Sequence, residues 1–241
     1  MHIAPHVHVC VTRDGSVVLD LKRDQYYGFS IEDTEMLSAA VDGWPSPSSP
    51  SIPHRVGART LQGDRLCLSL LQDGLLTWDG AAARDIHVNR IDLKAPLVSV
   101  GDELEVRGHV RSSHVASFAA AYLSAQYSLR CRSFISTVGR VRLAKCRNSE
   151  AAAAPPCDPF RLGALVDVFR RLRPYAFAAE GHCLLHALTL VNFLRVYDCY
   201  PDWVIGVSTQ PWAAHSWVQW GVFLLDTSPE KVCQYTPIMV V

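Results

Sequence analysis

Three residues in the last third of the chain have side chains that could break an acyl bond together. They are Cys183, His215 and Asp226, in that order along the sequence. A cysteine thiolate can attack a carbonyl carbon, and a histidine can accept the thiol proton and later donate it to the leaving group. A carboxylate can fix the tautomer and orientation of that imidazole. The order therefore permits a Cys-His-Asp triad, provided that the intervening chain folds back on itself.

The first of these residues begins a predicted helix. After Cys183, the sequence LLHALTLVNFLRV is apolar almost all the way round a helical period, which predicts a buried helix that ends before Pro201. A thiol at a helix N-terminus lies at the positive end of the helix dipole, and this position favours a thiolate. The free N–H groups of the same helix end can also stabilise an oxyanion, so the Cys183 N–H is a candidate donor.

The sequence after this helix predicts three strands, of which the second carries His215 and the third ends at Asp226. WVIGVS is a β-branched run of strand length, and AHSWVQW predicts a second strand with His215, Trp217 and Gln219 on one face. Gly221 allows a tight turn into VFLLD, a third strand that ends at Asp226. A helix, a turn and two strands can bring the three residues together.

The segments GHCLLHALTLVNFLRVYD, WVIGV, QPWAAHSWVQW and VFLLD together resemble the lasso-peptide maturation protease, the B protein of that pathway. Its catalytic domain is a transglutaminase-like cysteine peptidase. The resemblance implies that Cys183 is the nucleophile, His215 the base and Asp226 the orienting acid.

The sequence departs from the pattern of that family at three positions. Ser216 stands where the family usually has Ala, Gln219 where it has Glu, and Trp212 where it has Phe. None of the three is a member of the predicted triad, so the departures leave the predicted chemistry in place.

Other residues of the same stretch are also of types that could take part in chemistry. His182 and His186 are four residues apart, as in helical zinc sites, but no glutamate base accompanies them, so packing or supporting roles are favoured. Asp198 and Asp202 follow the helix and are expected to be solvated. They are the alternatives to Asp226 as third member of the triad.

The composition is that of an ordinary soluble protein. Among 241 residues, 49% are hydrophobic, 19% are charged, and the net charge is zero. No apolar run has the length of a membrane span, and the N-terminus lacks a signal-peptide core. We therefore expect a cytoplasmic protein without a membrane span. In that compartment its eight cysteines would mostly be free thiols.

The N-terminal part predicts three strands followed by helices. HVHVCVT and SVVLDL alternate around a turn, YYGFS is a third strand, and Ser30 is the candidate N-cap of the helix IEDTEMLSAAVDGW. A proline- and serine-rich loop at residues 45–53 separates it from a helix that Gly74 ends. This order fits a small winged-helix-like domain.

The phrase VVLDLKRDQYYGFS resembles the leader-recognition element of peptide-modifying pathways and is similar to the small chaperone of pyrroloquinoline quinone biosynthesis. That resemblance implies that a leader peptide adds as a strand to the edge of the sheet. The leader-binding residues that it implies are Leu19, Tyr26, Tyr27 and Phe29.

A winged helix could instead bind DNA, but the charge argues against this function. Residues 1–80 contain six Lys and Arg and ten Asp and Glu. Affinity for DNA requires the neutralisation of phosphates, which an acidic surface opposes. No nucleic-acid partner is therefore expected.

The middle of the chain is less informative. Residues 81–112 predict a linker with a strand near LEVRGHV, residues 114–147 a helix, and RLGALVDVFRRLRPYAF a second amphipathic helix. Residues 106–175 contain twelve Lys and Arg against three acidic residues. A solvated helix face is the favoured interpretation, and a dock for an anionic peptide or a partner enzyme is the alternative.

The sequence thus predicts an α+β protein with three parts: a winged-helix-like leader-recognition domain at 1–80, a linker at 81–112, and a transglutaminase-like, papain-like cysteine peptidase domain at 113–241. Its expected function is removal of the leader from a lasso-peptide precursor. The resemblance implies a partner, an asparagine-synthetase-like cyclase that uses ATP. The peptidase itself is expected to need no metal or cofactor.

Two alternatives remain open from sequence. The same triad could transfer the acyl group to an amine, as a transglutaminase does. The chain could also be a non-catalytic carrier that delivers the precursor to the cyclase.

Overall fold

The computed structural model describes residues 1–46, 61–80, 97–99, 107–150, 158–177 and 181–241. The chain forms two compact units. The first contains residues 1–89, 207–213 and 236–238, and the second contains residues 90–206, 214–235 and 239–241. Both units combine helices and strands, so the α+β class is confirmed. The predicted boundaries at residues 80 and 112 and the winged-helix-like form of the N-terminal part stay predictions.

The first unit is built on a three-stranded antiparallel sheet in the order β2-β3-β4. Two helices follow the sheet, and two short strands, β1 and β5, pair antiparallel. The elements are β1 (His2–Ile3), β2 (Val7–Thr12), β3 (Gly15–Asp20), β4 (Gln25–Phe29), α1 (Ile31–Ala40), α2 (Leu61–Gln72) and β5 (Leu76–Thr77). The three predicted strands and both helices are therefore present.

Local sequence explains where α1 begins. The Ser30 side chain caps the helix by accepting a hydrogen bond from the Asp33 N–H, as predicted. Apolar residues of the sheet and of both helices, among them Val18, Leu37 and Leu70, then form a single buried cluster. The predicted loop at 45–53 lies outside the described residues from position 47 onward.

The described part of the second unit contains four long helices: α3 (Ser112–Cys131), α4 (Phe134–Glu150), α5 (Pro159–Leu172) and α6 (Cys183–Arg195). The prediction of one helix over 114–147 is wrong, because Arg132 is extended (φ −126°, ψ 156°) and Ser133 accepts the first hydrogen bond of α4 from the Thr137 N–H. None of the described helices is long and apolar enough to cross a membrane.

Helix α6 is the centre of this unit's core. Every residue from His186 to Leu194 is buried. Phe169 of α5 contacts both Phe118 of α3 and Phe193 of α6, with ring centroids 5.3 and 5.7 Å apart. The all-round apolar pattern of the sequence thus correctly predicted a buried helix.

A five-stranded sheet in the order β10-β7-β8-β9-β6 carries the rest of the candidate site. Its strands are β6 (Val98–Ser99), β7 (Asp202–Thr209), β8 (Trp212–Trp220), β9 (Phe223–Leu224) and β10 (Thr236–Val240), and the short helix α7 (Pro229–Val232) precedes β10. β6 pairs parallel with β9, although its residues fall in the range predicted as linker. β9 ends at Leu224, so Asp226 lies beyond the strand that was predicted to end there.

The structure describes only part of the middle segment for which a strand was predicted. The strand expected near LEVRGHV falls outside the described residues up to position 106, and residues 107–110 form no helix or strand. Cys199 is disulfide-bonded and is an exception to the expectation that the cysteines are mostly free thiols. Free cysteines in the described chain include Cys10, Cys67, Cys131, Cys146, Cys183 and Cys233.

Close packing around Gly206 of β7 gives a stability prediction. A Cβ atom at this position would lie 2.7 Å from the Trp217 ring and 3.0 Å from the Tyr235 Cβ atom, closer than van der Waals contact allows. At Gly139 of α4, an added Cβ atom would meet no atom within 4 Å. The two glycines therefore form a matched pair.

We expect Gly206→Ala to lower the free energy of unfolding by about 1–3 kcal/mol, because the overpacked sheet must shift. Gly139→Ala should raise it by about 0.5–1 kcal/mol, because alanine favours a helix interior. Urea denaturation of both variants measures the two effects. A Gly206→Ala variant as stable as Gly139→Ala would contradict the close packing of β7 against Trp217.

Candidate active site

Cys183 is the first residue of α6 and its side chain is half-buried. The preceding residue, His182, is the N-cap but makes no side-chain capping hydrogen bond. The first backbone hydrogen bond of the helix joins the His186 N–H to the His182 carbonyl at 2.8 Å. The predicted nucleophile thus lies at the helix N-terminus, where the sequence placed it.

His215 lies in the middle of β8 and is 8% exposed. Its ring lies nearly parallel to that of Trp217, with centroids 6.1 Å apart and an angle of 24°, and 5.2 Å from the Tyr235 ring. Its Nε2 atom is buried and has no hydrogen-bond partner among the described residues. Two aromatic neighbours therefore hold the imidazole, and its Nε2 atom forms no hydrogen bond with Cys183 or with any other described residue.

Burial lowers the pKa of His215, and the charge of Lys231 on α7 lowers it further. The Asp226 carboxylate opposes these effects by stabilising the imidazolium, whereas His186 adds to the lowering. A His215 pKa below its ordinary value of about 6.5 leaves the ring neutral at pH 7. A neutral imidazole is the form that can accept a proton from a thiol.

Asp226 follows β9, and its side chain is 4% exposed. The Oδ1 atom accepts a hydrogen bond from the Val218 N–H at 2.9 Å, and the Oδ2 atom lies 3.3 Å from Nδ1 of His186. The predicted direct contact with His215 is not formed. Instead, Asp226 acts on His215 through its charge, so the orienting role of Asp226 stays a prediction.

The two alternative carboxylates lie elsewhere. Asp202 forms an ion pair with Lys145 of α4, and Asp198 is exposed in the turn after α6. Neither belongs to the charged groups that shift the pKa of His215. Asp226 therefore remains the carboxylate best placed to serve this histidine.

The sequence did not anticipate that His186 would contact Asp226. His186 lies one helical turn after Cys183, and its ring makes edge contacts with Phe169 and Phe177 at centroid distances of 5.4 and 5.2 Å. His186 therefore packs among aromatic rings as expected, and its contact with Asp226 fits the supporting role that the sequence also favoured. A signal was present, because residues three apart on a helix share a face.

The three departures from the family pattern each have a contact. Ser216 Oγ accepts a hydrogen bond from the buried Trp203 indole at 2.8 Å, which alanine could not do. Gln219 Oε1 accepts a hydrogen bond from the Trp217 indole at 3.2 Å, and Gln219 Nε2 donates to the Gly221 carbonyl at 2.7 Å. Within the first unit, Trp212 meets the edge of the Tyr26 ring at a centroid distance of 5.7 Å.

The residues predicted to bind a leader lie in the sheet of the first unit. Leu19 is fully buried in the central strand β3, so we expect it to support the sheet without touching a peptide. Tyr26, Tyr27 and Phe29 belong to β4, which ends the order of that sheet, and each is half-buried. Tyr27 and Phe29 pack on the hydrophobic cluster, whereas Tyr26 points to the other face.

Among the described residues, no group of three or more His, Cys, Asp or Glu side chains is placed to hold a metal ion. The prediction that the peptidase needs neither a metal nor a cofactor remains untested by this observation.

Residues 122–240 match the family described as the transglutaminase-like superfamily. The match covers slightly less than half of the chain and includes Cys183, His215 and Asp226. No curated protein and no solved structure matches this chain. The superfamily includes cysteine peptidases and acyltransferases. Residues 122–240 are thus similar to the domains of this superfamily, and the N-terminal part of the chain lies outside the match.

The charge of Lys231 gives a prediction about His215. Replacing Lys231 with Gln removes a cation that disfavours the imidazolium, so the pKa of His215 should rise. NMR titration of ring-labelled histidine measures this pKa directly. The acid limb of a kcat/KM profile should follow it to higher pH.

Glu230 provides the control, since it neighbours Lys231 on α7 but does not belong to the groups that shift the pKa of His215. Glu230→Gln should leave the titration unchanged. An unchanged His215 pKa in Lys231→Gln would show that the electrostatic account of this histidine is wrong.

Proposed function

We propose that this protein is a cysteine peptidase that binds a ribosomally made lasso-peptide precursor and removes its leader. The observation that carries the proposal is the position of Asp226 in the transglutaminase-like domain. Its carboxylate contacts both the helix that begins with Cys183 and the strand that carries His215. Enzymes of the transglutaminase-like superfamily carry out acyl chemistry at a cysteine in such a site.

The residues suggest the following steps. Neutral His215 takes the proton of the Cys183 thiol, and the thiolate attacks the carbonyl carbon of the scissile peptide bond. The carbon–nitrogen bond breaks, the leader stays on Cys183 as a thioester, and the imidazolium gives its proton to the departing core amine. Water, deprotonated by His215, then releases the leader as a carboxylic acid.

The lasso-peptide substrate rests on the resemblance of the segments around Cys183 and His215. In this proposal, β4 of the first unit receives the leader as an added strand, with Tyr26 as an accessible contact. The freed core N-terminus passes to an asparagine-synthetase-like cyclase, which uses ATP to close the macrolactam. The proposal assigns no metal or cofactor to the peptidase and places it in the cytoplasm.

The direct experiment is leader removal from the cognate precursor by purified protein, followed by mass spectrometry. Wild type should release leader and core, whereas Cys183→Ala should release neither, because the variant lacks the thiol that attacks the scissile carbonyl in this proposal. The assay should be run with and without the cyclase. Cys233→Ala is the matched control, since this free cysteine is exposed and lies outside the predicted triad.

Each other outcome identifies a rival function. A Cys183→Ala variant that cleaves like wild type would remove the nucleophile assignment. If an amine is added and the leader is released as its amide and not as the free acid, the result would favour an acyltransferase. Binding of the leader by both proteins, with cleavage by neither under any condition, would favour the carrier.

The same cleavage assay also tests which residues recognise the leader. Tyr26→Ala should raise the precursor concentration needed for half-maximal cleavage, because it removes an aromatic contact beside the proposed peptide strand. Trp78→Ala is the control, as it removes a larger exposed aromatic side chain from the same unit. If the two variants behave alike, the assignment of β4 as the leader site is wrong.

A further inference from the structure

The contacts of Asp226 connect the two elements that carry the predicted nucleophile and base. Its Oδ1 atom is bonded to the backbone of β8 at Val218, and its Oδ2 atom faces His186 on α6. His186 lies three residues after Cys183, and Val218 lies three residues after His215. The Asp226 carboxylate therefore contacts both the helix of the predicted nucleophile and the strand of the predicted base. Each contact lies three residues along the chain from the predicted reactive residue.

The surroundings of His186 restrict how its ring can point. The ring lies between Phe169 and Phe177, and His186 is 8% exposed. Its Nε2 atom is buried and has no hydrogen-bond partner among the described residues, which leaves Nδ1 as the nitrogen with a polar contact. An ionised carboxylate oxygen only accepts hydrogen bonds, so the contact between Nδ1 and Oδ2 is favourable when Nδ1 carries a proton.

The carboxylate in turn needs this partner. A buried carboxylate is costly unless polar groups surround it, and the Val218 N–H satisfies only one of the two oxygens. Removal of His186 would leave Oδ2 without the polar contact that it has in the described structure. The carboxylate would then be free to turn away, and the link between α6 and β8 would be lost.

We propose that His186 is a positioning residue, which holds Asp226 against the nucleophile helix and thereby fixes Cys183 relative to His215. This inference rests on the proposed function, since it presumes that Cys183 and His215 react together. Misplacement of reacting groups by about 1 Å can cost about a hundredfold in rate. His186 would thus affect the rate without touching the substrate.

Two variants separate the polar contact from the packing. His186→Asn keeps an N–H donor near the position of Nδ1 but loses the ring. His186→Phe keeps a ring between Phe169 and Phe177 but loses the donor. If positioning through Asp226 is the role, the asparagine variant should be the more active of the two. A purely packing role predicts the opposite order.

The test measures two quantities in wild type and both variants. The first is the rate of iodoacetamide alkylation of Cys183 relative to the exposed Cys131 of the same chain, read by peptide mass spectrometry. The second is kcat and KM for leader removal. We expect His186→Phe to lower the Cys183 rate and kcat by about ten- to a hundredfold with KM unchanged. His186→Asn should stay within about threefold of wild type.

The outcomes separate this inference from the proposed function. If wild-type Cys183 reacts no faster than Cys131 and no leader is removed, the proposed function fails and the inference fails with it. If wild type is active and His186→Phe matches it, only the inference fails. Should folded His186→Asn be as inactive as His215→Asn, His186 would take part in the chemistry and the positioning role would be wrong.

Thermal melts establish that each variant is folded. If His186→Phe does not fold, His186→Asn still decides the question. A folded asparagine variant with a near wild-type rate supports the positioning role, and a folded, inactive one contradicts it.

Discussion

The burial of the Asp226 carboxylate is the constraint around which the candidate site is arranged. A charged group with a 4% exposed side chain needs polar partners, and it finds them in the Val218 N–H and in His186. These partners belong to β8 and α6, elements that are distant in sequence. The electrostatic requirement of one side chain thus ties the helix of Cys183 to the strand of His215, and the same negative charge opposes the lowering of the His215 pKa.

Packing provides the rest of the arrangement. β8 is held by a close approach at Gly206, where the Trp217 ring leaves no room for a Cβ atom. Trp217 in turn lies beside the His215 ring and donates its indole hydrogen to Gln219. The His215 ring therefore packs against aromatic neighbours, while its Nε2 atom has no hydrogen-bond partner among the described residues.

Local patterns explain which parts of the fold the sequence predicted well. The Ser30 cap, the apolar helix after Cys183 and the alternating strand around His215 all depend on neighbours a few residues away, and all are present. Sequence also placed the candidate cysteine, histidine and aspartate in a domain that matches the transglutaminase-like superfamily. Short-range periodicity predicted these elements, whereas the superfamily was implied by the resemblance of the segments around Cys183 and His215.

What the sequence missed depends on contacts between distant segments. The contact of Asp226 with His186 requires α6 to lie beside the end of β9, and the spacing of residues along the chain does not show which elements pack together. The pairing of Val98–Ser99 with β9 is a long-range feature of the same kind. The disulfide of Cys199 and the break between α3 and α4 at Arg132 were also not predicted.

The central claim is that Cys183 alone among the cysteines forms a bond to the substrate carbonyl. Burial removes Cys10 from consideration, raising the pKa of its thiol to about 12, whereas Cys131, Cys146 and Cys233 are exposed. The most direct measurement uses a leader peptide in which an α,β-unsaturated methyl ester replaces the scissile peptide bond and captures thiolates by conjugate addition, followed by peptide mapping of the thioether adduct. The account predicts one adduct, on Cys183, that is lost in His215→Ala. An adduct on an exposed cysteine, or equal labelling without His215, would contradict it.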